Sequence, residues 1–157
     1  MPVLATLSQI VLIVTAATLF YVAFTDFKEY TIRNELVLVL AGLFFLHAVL
    51  SGRWTTIHWN LGFALVMFAV MLYFYSQKLM GGGDLKLLTV AFLWVGPPYA
   101  LPFAVLMLIF AALHTLSAKL GWVHSQEVNG RRRIAFAPSV AAALIGVFMW
   151  GGLEARF

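Results

Sequence analysis

The chain has 157 residues, of which 63% are apolar and only 10% charged. A water-soluble domain carries about 25% charged residues, so this chain has too little polar surface to coat a globule in water, and a lipid-facing exterior removes the contradiction. The formal charge of +4 is scattered between apolar runs and forms no basic stripe, which argues against a nucleic-acid surface; the absence of cysteine excludes a disulfide framework, a Cys-ligated zinc site and a thiol nucleophile.

A transmembrane helix needs about 20 apolar residues. The pattern predicts a first span from about Val3 to Phe24 and a short second from about Glu35 to Leu50. A third covers roughly Asn60 to Ser76, and a fourth roughly Met80 to Val95 with glycines at its start. A fifth runs from about Pro98 to Leu116 and a sixth from about Ile134 to Leu153. Between the fourth and fifth, Gly96-Pro97-Pro98 is a strong helix breaker. It reads as a tight extracytoplasmic turn or as a kink in an element that re-enters the membrane. The stretch from Ser117 to Arg133 reads as a loop. The first segment reads as a retained span rather than a cleaved signal peptide, because no Lys or Arg precedes Ile10.

Charge gives this arrangement a direction, since cytoplasmic loops are enriched in Lys and Arg. With the N-terminus outside, the inner loops hold Lys28, Arg33, Lys78, Lys86, Lys119, Arg131, Arg132 and Arg133. The outer segments hold only Arg53 and Arg156. The expected architecture is therefore an all-α integral membrane protein, one domain over residues 1–157. It is a bundle of about six transmembrane helices with both termini extracytoplasmic.

Acidic residues are scarce: Asp26, Glu29, Glu35, Asp84, Glu127 and Glu154. A carboxylate at membrane depth is costly and is a functional candidate by default. Asp26 follows the first span, and Asp84 begins the fourth; both fall at the cytoplasmic edge. Two carboxyl groups held close share a proton, so one can activate water while the other donates to a scissile carbonyl. That chemistry needs no metal and no cofactor. The competing reading makes each aspartate a helix cap or a solvated loop residue. Asp84 lies in Gly81-Gly82-Gly83-Asp84-Leu85-Lys86, where glycines leave room for a peptide in extended form.

Gly81-Gly82-Gly83-Asp84 with Lys86 resembles the G-x-G-D-x-K motif of the prepilin and preflagellin peptidases, a group of membrane aspartyl proteases. Those enzymes carry their other aspartate just after a span, followed by a basic residue and an I-P-N element. Here the chain reads Asp26-Phe27-Lys28, then Ile32-Arg33-Asn34. Ile134-Ala135-Phe136-Ala137-Pro138 is similar to the family's I-P-[FY]-[GA]-P before its last span. Arg33 and Ala135 stand where the family usually has proline, and neither position is catalytic there. The resemblance implies that Asp26 and Asp84 are the catalytic pair, with Gly81, Gly83, Lys86, Lys28 and Asn34 around the substrate. It also implies cleavage of the leader of type IV prepilins or pseudopilins on the inner side of a bacterial or archaeal cytoplasmic membrane. With no cysteine and no cytoplasmic insert, the chain looks like the short CpaA/TadV-type enzymes of tight-adherence (Flp) pilus systems, without N-methyltransferase activity.

Each supporting residue has a plainer reading beside this one. Lys86 and Lys28 position substrate or snorkel to lipid phosphates. Asn34 orients the Asp26 loop or caps the second span. His47 and His114 lie inside spans without H-E-x-x-H spacing, and read as polar contacts between helices. His58 and His124 read as loop residues. Trp54, Trp59, Trp94, Trp122 and Trp150 fall near span ends and fit an aromatic belt. The alternative function is a non-catalytic membrane scaffold or transport subunit.

Overall fold

The computed structural model describes residues 2–52, 54–120, 126–128, 131–133 and 135–154. Trp122, His124, Ile134, Arg53 and Arg156 lie outside the described residues. Among the described residues five helices form: α1 (Pro2–Glu29), α2 (Asn34–Leu50), α3 (Trp54–Ser76), α4 (Gly82–Lys119) and α5 (Ala137–Glu154). Two short strands, β1 (Gln126–Val128) and β2 (Arg131–Arg133), pair antiparallel between α4 and α5. The stretch expected to be a plain loop therefore carries a ribbon, with the arginine run on its second strand.

α1 rises about 42 Å over its length, more than the roughly 30 Å of a bilayer's hydrocarbon core. It ends where Tyr30 takes a left-handed conformation (φ 50) and its N–H bonds back to the Asp26 carbonyl at 2.8 Å. Thr31 to Arg33 then run outside any helix into α2. The predicted second span matches α2, and α3 begins six residues before the predicted Asn60. The polar-looking start Trp54-Thr55-Thr56 is helical because the chain turns within Ser51-Gly52, where Gly52 has φ 68.

Gly96 interrupts α4 with a φ of 63 and a ψ of −178. The chain reverses there. Phe92 and Phe103 would stand about 16 Å apart along a straight helix, yet their ring centroids are 5.3 Å apart. Pro97 and Pro98 open the second arm, where a missing N–H costs least. Proline at 97 also leaves the Leu93 carbonyl without its helical donor. The Asn60 side chain on α3 supplies one, donating from Nδ2 at 3.0 Å. Its amide fills the space beside Gly96, where a Cβ would lie 2.6 Å from Asn60 Oδ1.

The first arm of α4, residues 82–95, is the centre of the bundle. Leu85, Leu87, Leu88 and the run from Val90 to Val95 are buried on every side, as expected of a helix apolar all round. α3, α5 and α2 pack on α4, while α1 packs on α5 and α2; α2 and α3 hardly touch. Trp94 belongs to this core and not to an aromatic belt. It donates to the Leu40 carbonyl at 3.0 Å and packs on Phe44, His47 and Phe148. Trp59 and Trp150 do stand exposed near helix ends.

Large apolar side chains such as Ile13, Phe20, Leu38, Leu65, Leu101 and Leu108 point outwards. Exposed apolar surface on this scale belongs in lipid. Among the described residues three helices are long and apolar enough to cross a membrane: Val3–Glu29, Thr56–Ser76 and Gly82–Lys119. α2 and α5 are apolar but shorter. The protein is a helical membrane protein.

Candidate active site

Asp26 lies on the last turn of α1 and is 4% exposed. Its partner comes from the far end of the sequence. α5 starts at Ala137, and neither Ala135 nor Phe136 has a side chain able to accept from the first N–H groups of that helix. Asp26 fills that role: Ala137 N–H donates to Asp26 Oδ2 at 2.9 Å. A helix N-terminus offers unsatisfied donors and a partial positive charge, which suit a carboxylate. His114, on the second arm of α4, is an ionisable side chain within electrostatic reach of Asp26.

Asp84 is held quite differently. It is the third residue of α4, and its Oδ2 accepts the Gly81 N–H at 3.3 Å. This is half of a capping box, since glycine has no side chain to return the bond. A Cβ on Gly81 would stand 3.0 Å from Asp84 Oδ2 and crowd the carboxylate.

The segment between α1 and α2 ties the two aspartates' surroundings together. Ile32, buried six residues after Asp26, rests on Gly83, beside Asp84. A Cβ at Gly83 would lie 3.1 Å from Ile32 Cβ, so glycine there permits a backbone approach that other residues would resist. Two residues further on, Asn34 Oδ1 accepts a hydrogen bond from Lys86 Nζ at 2.9 Å. Asn34 is thus the first residue of α2 and not its cap; Arg33 holds the cap position with no side-chain bond. Arg33 instead pairs with Glu35 at 3.6 Å on the surface.

Asp26 and Asp84 therefore lie at one end of the bundle, and Asn34, Lys86, Gly81 and Gly83 gather around the second of them. Lys28 is not drawn in. Its Nζ sits 5.0 Å from the centroid of the Phe24 ring on its own helix, facing outwards. Among the described residues no group of three or more His, Asp or Glu side chains could hold a metal ion. A cavity of about 590 Å³ lies at the opposite end, among Gln9, His47, Asn60, Trp94, Tyr99 and Phe148.

Sequence reasoning missed two things here. One is the role of the Ala137 N–H, although the element containing it stood out. The signal was a helix start with no local capping side chain. The other is Asn60, whose only signal was an amide in an apolar segment upstream of a Pro-Pro pair.

No curated protein and no solved structure matches the chain significantly. The model of the type IV leader peptidase family matches residues 13–116, which include both aspartates, the loop that joins their surroundings and most of α4. With well over half its length matched, this membrane protein belongs to the type IV leader peptidase family.

Proposed function

We propose that the chain is an aspartic endopeptidase that removes the leader of type IV prepilins or pseudopilins of the Flp type. Membership of a leader peptidase family makes a protease acting on prepilin-type substrates the starting point. The observation that carries the aspartic mechanism is the locking of residues 32–34 onto the first turn of α4. That contact keeps the segments bearing Asp26 and Asp84 at one end of the bundle. In this reading one carboxylate takes a proton from water as the water attacks the scissile carbonyl. The other, protonated, donates to the carbonyl oxygen; the first then passes the proton it took from water to the leaving amine, the second takes one back from the diol hydroxyl, and the C–N bond breaks.

The same reading counts six crossings, with α4 crossing twice about Gly96 and both termini outside. The eight-to-two division of Lys and Arg supports that orientation, with the aspartates on the cytoplasmic side. The substrate's apolar helix docks from the lipid and its leader stays in the cytoplasm. Nothing in this short chain resembles a methyltransferase insert, so cleavage without N-methylation is the proposed activity.

The test is co-expression with a short prepilin. Asp26→Asn and Asp84→Asn, made singly, should each abolish leader removal while the protein still inserts. Complete cleavage by either variant sinks the two-aspartate mechanism. One observation favours a second reading, a non-catalytic scaffold: Asp26 caps α5, which is a structural task. Under that reading Asp26→Asn alters assembly, and no prepilin is cut even by the parent chain.

A further inference from the structure

We propose that the backbone N–H of Ala137, at the start of α5, positions the Asp26 carboxylate for the reaction. This rests on the peptidase reading above. The bond at 2.9 Å joins residues 111 apart and is buried; Ala137 has no exposed surface and Ala135 almost none. Solvent therefore does not replace it readily.

The donors at this helix start are few. Pro138 has no N–H. Those of Ser139 and Val140 turn back to the Phe136 carbonyl at 3.1 and 3.4 Å. Of the remaining donors, the N–H of Ala137 goes to Asp26. With Oδ2 held by Ala137, Oδ1 is the oxygen left to meet water and substrate. The donor is a backbone group anchored by α5, which packs along both α1 and α4. Asp26 is thus set by the placement of a whole helix, and Ala137 is a positioning residue that need not touch substrate. Alanine at 135 fits this role as well as proline does, because the donor belongs to residue 137.

Ala137→Pro removes the donor at the first helical position, where proline is tolerated and the preceding residue is already outside the helix. The full-length chain in vesicles, supplied with a prepilin peptide, should lose at least tenfold in kcat with KM changed less than twofold. Ala137→Gly keeps the N–H and should stay within threefold of the parent on both constants. Parent-like kcat for Ala137→Pro, with Asp26→Asn and Asp84→Asn inactive, overturns the positioning role and leaves the peptidase reading standing. No cleavage by the parent overturns the peptidase reading, and this one with it.

Amide hydrogen exchange provides a readout that needs no activity and no proline. Asp26→Ala should speed exchange at Ala137 by at least tenfold while the middle of α5 is unchanged. Unchanged exchange at that amide overturns the proposal, as does acceleration spread evenly along α5.

Discussion

Asp26 and Asp84 sit at the same end of the bundle, yet one is held from 111 residues away and the other from three. Asp26 is buried and receives a backbone N–H at the start of another helix. Asp84 is partly exposed and receives the N–H of its own cap residue at 3.3 Å. A carboxylate fixed by tertiary packing depends on the whole bundle, whereas one fixed by its own turn depends on local sequence. Gly81 to Asp84 can set up their contact as soon as α4 forms. Asp26 acquires its partner only when α5 docks.

The largest predicted effect is a difference in stability between the two. Asp26→Ala leaves the buried N–H of Ala137 without an acceptor, and such a group costs about 1–3 kcal/mol. Asp84→Ala removes a long, exposed capping bond, for which about 1 kcal/mol or less is expected. Unfolding in mixed detergent micelles measures both. Equal losses would break the contrast drawn between the two sites.

Gly83 tests how the two surroundings are coupled. Gly83→Ala puts a methyl 3.1 Å from Ile32 Cβ, so either the Ile32 segment or the start of α4 must shift. Overpacking of this kind costs about 1–3 kcal/mol. If Asp26 and Asp84 are the catalytic pair as proposed, displacing them by a fraction of an ångström should lower cleavage about tenfold or more. Removing the opposing Cβ should relieve the clash, so the double variant Gly83→Ala/Ile32→Gly should cleave better than Gly83→Ala alone. A double variant no better than Gly83→Ala would show that this contact does not set the spacing.

The same contrast explains what the sequence disclosed. The run Gly81 to Lys86 announced a site because its chemistry is local: a carboxylate, its cap and the glycines lie within six residues. The helices were legible because apolar runs of 17 or more residues have few alternatives, and the break at Gly96 followed from the prolines after it. Residues whose partners lie on other helices were not legible. Trp94 looked like a membrane-interface residue because it stands near a predicted span end; α2 and α5 make it core. Asn60 showed only an amide in an apolar segment, which does not say that it replaces the donor missing at Pro97. For Ala137 the only sign was a helix start without a local cap, since a backbone N–H itself leaves no mark in a sequence. The ribbon at β1 and β2 was missed because three-residue strands are too short for an alternation to register.

The smallest predicted effect concerns the outer tie between the two surroundings, Lys86 to Asn34. It spans 52 residues and joins α2 to α4, yet both side chains are exposed. Exposed charged contacts contribute about 0.2–1 kcal/mol. Lys86→Met and Asn34→Ala should each change stability by less than Asp26→Ala does. In a double-mutant cycle the pair should show a coupling of about 0.5 kcal/mol that fades as salt is raised. If the tie only steadies the loop, cleavage should fall by the same small factor in the single variants and in the double variant. If Lys86 contacts the leader, Lys86→Met should raise KM while Asn34→Ala does not. The cycle thus separates a lysine that braces the Asp84 turn from one that reads substrate, two roles that a single substitution cannot tell apart.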